Sequence, residues 1–320
     1  MNTIRLALLV ALLLLVPQAA FAHATPVDMQ PHSGAQLAVP PAEISITFSE
    51  HLERGSSLVR VSDEKGVRVD TGGAVVAADG RTLSTQLRAH DGLYTVSWSV
   101  VSKDDGHFTR GSYAFAVGST SVSAAASEEM VKIATTKEAG LMFVEFFANS
   151  LLWGMLALFL LSRGDERLRR PFIMLSIIAL LSALVADLGH ILLKAHELAV
   201  LHQSGFSEAF SLYVHTTAGF ATILRALALA VGAAGVAMFG FRSVRGTAAI
   251  LIPALAVFAY FRAIVSHATA NPFHPGLSIA VNFIHVIEKD LWLGLLAVLC
   301  VLFFMRPNAA REYVHGVVNL

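Results

Sequence analysis

Beyond Gly140 this chain of 320 residues carries five apolar stretches, at about 140–162, 172–193, 215–240, 248–267 and 280–305. Each is long enough to cross roughly 30 Å of hydrocarbon as a helix, which predicts an all-α transmembrane bundle of about five helices over residues 140–306. The 55% hydrophobic content is concentrated there. Loop charge sets the expected direction. Arg163 to Arg170 carries four arginines, Phe241 to Thr247 carries two, and Arg306 and Arg311 lie near the tail. In the alternate segments Lys194 is the only lysine or arginine. Basic loops stay on the inner side, so residues 307–320 are expected as a cytoplasmic tail and the N-terminal part lies outside.

The N-terminus agrees with that direction. Arg5, the apolar run Leu6 to Val16, Pro17 and Ala20-Phe21-Ala22 have the order of a signal peptide over residues 1–22. Cleavage after Ala22 would leave His23 with a free α-amine beside its imidazole, a chelating pair of nitrogens. Such a pair suits a tetragonal metal, Cu(II) first and Ni(II) second. Both nitrogens lose their protons at little cost near neutral pH.

Residues 23–118 read as an ordinary polar all-β domain. Alternation or β-branched enrichment marks strands at 43–48, 57–61, 83–87, 93–100 and 112–117. Pro40-Pro41, Glu64-Lys65-Gly66, Asp79-Gly80, Asp91-Gly92 and Asp105-Gly106 supply the turns. Short strands at this spacing predict a small Greek-key sandwich or barrel. Asp104-Asp105-Gly106-His107 follows the longest strand. Asp105 and His107 leave an extended backbone on one face, and Gly106 lets the chain bend between them. Glu50, closing Phe48-Ser49-Glu50, is a third candidate oxygen donor, with His51 beside it. Residues 119–139, rich in Ser, Ala and Thr, read as a flexible linker that raises the local concentration of the tethered domain.

Histidines gather on the outer side of the predicted bundle. His190, His196, His202, His215, His267, His274 and His285 lie at outer span ends or in outer loops, and His315 lies inside. Asp187, His190 and Lys194 form one helical stripe, and His285, Glu288 and Trp292 another. Glu145 and Asn149 mark the first span. Arg225 and Arg262 lie at a depth where a lone charge costs at least about 2.5–3.5 kcal/mol, so they should face the bundle and pair with acids. Lys289 and Asp290 read as locking helices together. Net charge is zero, which supplies no basic field for nucleic acid. The single cysteine, Cys300, excludes a disulfide framework or a Cys-based metal site.

These residues carry two resemblances. His23 as mature first residue, Pro31-x-x-Gly34, Ile44-x-Ile46-x-Phe48-Ser49-Glu50, Gly92-Leu93-Tyr94-x-Val96-x-Trp98-x-Val100-Val101-Ser102, Asp105-Gly106-His107 and Gly111-x-x-x-Phe115-x-Val117 together resemble the CopC family of copper-binding β-barrels. The resemblance implies that His23, Asp105 and His107 bind Cu(II), with Glu50 a further ligand in some members. The Met-rich Cu(I) strand of other members is not carried over, because this domain has only Met29. Ser266-His267-Ala268-x-Ala270 and His285 followed by Leu291-Trp292-Leu293-Gly294-Leu295 are similar to the CopD family of copper-resistance membrane proteins, shortened here from about eight spans to five.

The implied protein is not an enzyme. It captures Cu(II) outside the plasma (inner) membrane, in the periplasm or extracellular space, and passes copper through a multi-pass bundle. Glu145, Asp187, His190, His215, His267, His285 and Glu288 are its candidate membrane pathway, where Cu(I) is a second candidate cargo. A homo-oligomer or a partner membrane chain would complete the pathway if five spans do not. Three alternatives stay open: a membrane-anchored periplasmic copper buffer, a copper monooxygenase-like enzyme, and a haem or quinone bundle.

Overall fold

The computed structural model describes residues 24–119, 129–132, 136–162, 166–240, 242–266, 268–269 and 273–305. The expected signal peptide, His23, His267 and the tail from 306 onward lie outside these residues.

The N-terminal part is a two-sheet β sandwich. One sheet has the order β1 (Pro26–Gln30), β3 (Glu43–Phe48), β6 (Thr82–Gln86), β5 (Val75–Val76). The other runs β2 (Gln36–Leu37), β8 (Phe108–Val117), β7 (Gly92–Val101), β4 (Leu58–Asp63). Period-2 alternation turns Ile44, Ile46, Phe48, Val59, Val61, Tyr94, Val96, Trp98 and Phe115 into one buried core. Phe48 meets Trp98 edge to face at 5.1 Å, and Tyr94 stacks on Phe115 at 5.3 Å. Asp70 is buried at the flank, held by the Arg68 guanidinium at 2.6 Å and by the Val61 N–H at 2.9 Å.

The stretch expected as linker contains a strand. β9 (Glu129–Lys132) pairs antiparallel with β8, Arg110 opposite Val131. The cause lies in β8, whose edge β2 covers only at Ala116 and Val117. Unpaired backbone groups over 109–112 are therefore open to a returning segment. Only residues 133–135 then separate β9 from the first helix.

Among the described residues six helices follow: α1 (Thr136–Leu161), α2 (Glu166–His202), α3 (Phe206–Val214), α4 (Thr217–Phe239), α5 (Val244–Ile264) and α6 (Pro275–Met305). Among the described residues four helices, α1, α2, α4 and α5, are long and apolar enough to cross a membrane. The 31-residue α6 is also long, but carries Glu288, Lys289 and Asp290 in its middle. The five long helices overlap the five predicted spans, and α3 is an addition. Its nine residues were too short for a span and were missed as a helix.

Leu152, Leu156, Phe159, Phe172, Leu180, Leu229, Leu251 and Phe258 fill the bundle core. Helices α1 and α6 approach most closely where Gly154 faces Gly294. A Cβ on either glycine would collide with the backbone of the opposite helix. Asp290 locks the same interface, accepting from Asn149 Nδ2 at 2.6 Å and Ser150 Oγ at 2.8 Å.

Candidate metal centre

The turn after β7 is built by its own short contacts. Ser102 Oγ accepts from the N–H groups of Asp104 and Asp105, and the Gly106 N–H donates to the Ser102 carbonyl. Gly106 has φ +74°, a conformation costly for residues with a Cβ. An added Cβ there would also strike the Ala218 side chain at the start of α4. The Asp-Gly-His turn is thus shaped by its dihedral and by the helix pressed against it.

Within the turn the His107 N–H donates to Asp105 Oδ1 at 2.9 Å, and His107 Nδ1 lies 2.9 Å from Asp105 Oδ2. Two donors each about 2 Å from one metal at a right angle stand about 2.8 Å apart, so this carboxylate and imidazole fit adjacent positions on a single tetragonal ion. Both are hard or borderline donors of the kind Cu(II) takes. The Asp105 side chain is buried, whereas that of His107 keeps 26% exposure.

Glu50 is buried at the end of β3. Its neighbour Ser49 takes the Thr25 N–H on Oγ at 3.0 Å, and Ala24, fully buried, accepts from Thr109 Oγ1 at 2.9 Å through its carbonyl. The first described residues therefore run between the strand end that carries Glu50 and the strand that begins one residue after His107. Among the described residues no three His, Cys, Asp or Glu side chains converge on one metal position. Asp104 serves the scaffold: its carboxylate accepts the His51 N–H at 3.0 Å.

The β domain is docked on the helices. Val101 and Phe108 pack with Ile191, Ala195 and Leu198 of α2 and Ala209 and Tyr213 of α3 in one buried cluster. Burial of Phe108 alone contributes roughly 2 kcal/mol. The Glu53 carboxylate accepts the Thr217 N–H at 2.6 Å, at the N-terminus of α4 where the helix dipole favours an anion. Lys194 Nζ sits 4.8 Å from the Phe108 ring centroid. None of this was legible in the sequence, because the contacts join residues about 90 to 165 positions apart.

Docking places the Asp105–His107 turn over a cavity of about 280 Å³ whose other walls are helical: Glu138, Met142 and Glu145 of α1, His190 of α2, and Arg225 and Arg262. Buried charges surround it. Lys194 pairs with Glu138 at 2.8 Å and Glu197 at 3.2 Å. Arg225 holds Asp187 at 2.6 Å and Glu145 at 3.5 Å, and Arg262 also binds Glu145. The two arginines do face the bundle and pair with acids, because neither could remain unpaired at that depth.

Of the other membrane candidates, Glu145 and His190 reach the cavity. Asp187 is fully buried behind Arg225. His215 caps α3, its Nδ1 2.6 Å from the Ser211 carbonyl. His285 lines a neighbouring groove that shares Ser266 and Asn282 with the cavity. Glu288 and Trp292 are exposed on α6, since the Asp290 and Gly294 contacts turn the opposite face inward. Glu138 and Met142 line the cavity although neither was singled out as a site residue. Their i, i+4, i+7 spacing with Glu145 was the available signal.

Comparison with known proteins concerns the β domain. A CopC domain model matches residues 26–118. The chain is 31% identical over 114 residues to the copper transport protein CutJ of Bacillus subtilis, a match covering 35% of this chain and 21% of CutJ. It is 35% identical over 119 residues to protein YobA of Escherichia coli, covering 36% of this chain and 95% of YobA. Among solved structures, CopC from Methylosinus trichosporium OB3b has 29% identity and TM-score 0.29, covering 32% of this chain and 100% of that one. PcoC, a methionine rich copper resistance protein from Escherichia coli, has 26% identity and TM-score 0.27, covering 30% and 99%. The family match ends at residue 118, before the helices begin.

Proposed function

The chain belongs to the CopC family through its β domain, and on that premise we propose that it captures Cu(II) outside the membrane and passes it into its own helical bundle. His23, as mature N-terminus after removal of residues 1–22, supplies amine and imidazole. Asp105 and His107 complete the set, and Glu50 is an additional oxygen donor. In this reading residues 23–118 are the capture domain, the helices act as a shortened CopD-like unit, and the arginine-rich loops face the cytoplasm. The β domain then lies in the periplasm or extracellular space. The site binds and releases its cargo, and no reaction is assigned to it.

The observation that carries this reading is the shared cavity: the Asp105–His107 turn opens toward Glu145 and His190. Ala24 supports the first ligand, because its buried carbonyl is fixed by Thr109 one peptide unit from His23. Copper uptake into proteoliposomes holding the full chain is the test. Wild-type uptake above empty liposomes, lost in His107→Ala, is expected; uptake unchanged in His107→Ala overturns the proposal.

A second reading, a membrane-anchored copper buffer, is favoured by one feature. Glu145, Arg225 and Arg262 of the cavity wall join Asp187 in an ion-pair network, and the bundle core beyond it is packed with Leu152, Leu156 and Phe258. Tight Cu(II) binding without uptake would select this reading.

A further inference from the structure

Resting on the capture reading above, we propose that the cavity under the Asp105–His107 turn is a second Cu(II) site, with the His190 imidazole and the Glu138 carboxylate as its protein donors. The upper wall presents one carboxylate and one imidazole, Asp105 and His107, and the helical wall presents the same pair of groups, Glu138 and His190, in the same 280 Å³ space. That volume is large enough for an ion with several waters.

The helical donors are set by spacing. Glu138, Met142 and Glu145 follow one another at i, i+4 and i+7 on α1, and His190 and Lys194 at i and i+4 on α2, so two inward stripes face each other. Glu145 is committed to Arg225 and Arg262 and is not assigned as a donor. Glu138 can turn to a metal because its partner Lys194 keeps Glu197, 3.2 Å away. Met142, Ser266 and Asn282 line the remainder of the wall.

Charge favours a cation there. The ion-paired groups around the cavity are Glu138, Glu145, Asp187 and Glu197 against Lys194, Arg225 and Arg262, one carboxylate more than the cations. With neutral histidine the region is left net negative, which the low dielectric of a buried site magnifies.

Transfer from the first site is ligand exchange. The copper–nitrogen bonds to His107 and to the His23 amine and imidazole and the copper–oxygen bond to Asp105 break, as bonds to His190, Glu138 and two waters form. Neutral imidazole replaces neutral imidazole, carboxylate replaces carboxylate, and the metal stays Cu(II), so no electron or proton need move. One imidazole and one carboxylate are matched in kind, water takes the places of the two His23 nitrogens, and the second site, assembled from two protein donors and water when the ion arrives, is the weaker of the two.

The test is Cu(II) titration of the full, signal-cleaved chain in detergent, read by bound equivalents and by electron paramagnetic resonance. Wild type is expected to bind two equivalents with distinct spectra. His190→Gln and Glu138→Gln should each lose one equivalent and keep the spectrum of the first site, which also reports that they are folded. His107→Ala should lose the first spectrum and keep the second. A single equivalent in wild type, both equivalents retained in His190→Gln, or both lost in His190→Gln and Glu138→Gln would overturn the second site. Two equivalents retained in His107→Ala would instead remove the capture reading and leave the second site standing.

Discussion

Thr269 donates its hydroxyl hydrogen to the carbonyl oxygen of Asp104 at 2.7 Å, joining residues 165 positions apart. The segment between α5 and α6 thereby holds the residue next to Asp105, while Glu53 fastens the same side of the sandwich to the first N–H of α4. The Asp105–His107 turn is fixed by the helices as well as from within.

Loosening that attachment should expose the turn. A bond to a charged acceptor is worth about 1.5–3 kcal/mol, so Glu53→Ala combined with Thr269→Val should raise amide hydrogen exchange at residues 102–107 at least about tenfold. Exchange in the β7 core strand should be unchanged. Equal exchange in variant and wild type would mean the two contacts do not hold the domain.

Cu(II) affinity should fall most when a nitrogen ligand is removed. His107→Ala and His23→Ala are expected to weaken binding by at least about 100-fold, or 2.7 kcal/mol. Glu50→Gln should cost about tenfold or less. Competition against a chelator of known affinity measures all three, and wild-type affinity in His23→Ala would remove the N-terminal ligand from the set.

The buried ion pairs in the bundle should respond asymmetrically. Arg225→Met strands Asp187 without its partner and should destabilise the helices by about 3–5 kcal/mol. Arg225→Met with Asp187→Leu removes both charges and should recover most of that loss, since Glu145 keeps Arg262. Thermal unfolding in detergent by circular dichroism compares them.

Helix packing at Gly294 tolerates no side chain. Gly294→Leu forces α6 away from the Gly154 backbone and should lower stability by about 1–3 kcal/mol or more. An unchanged melting temperature would contradict the close crossing of α1 and α6.

Acid stability of the sandwich should follow Asp70. Burial works against its ionisation, but the Arg68 hydrogen bond, the Val61 N–H and the Arg68 charge outweigh it and hold the carboxyl below its ordinary value. A depressed folded pKa stabilises the fold above the unfolded value near 3.9 and loses that contribution as pH falls through the folded value. Tryptophan fluorescence should show the sandwich weakening below about pH 4, and Asp70→Asn should flatten that dependence.

What the sequence determined was local or periodic. Alternation placed Ile44-x-Ile46-x-Phe48 and Tyr94-x-Val96-x-Trp98 on buried strands, because side chains two apart must share a face. Apolar length and inward-facing charge located the long helices and foretold partners for Arg225 and Arg262, because a buried cation needs an anion wherever the chain brings one. Asp105 and His107 do meet, but in a turn with Gly106 at φ +74° and not on the extended backbone that the two-residue spacing suggested.

Tertiary structure alone decided what lies opposite that pair. The strand Glu129–Lys132 hidden in the expected linker, the short helix Phe206–Val214, and the docking of Phe108 on α2 and α3 each depend on surfaces contributed by distant segments. Spacing rules describe one element at a time, so they could group Glu138 with Glu145, or His190 with Lys194, but not bring either group under His107. That required two folded surfaces to bury apolar area against each other, and the free energy of that burial is a property of the assembled pair.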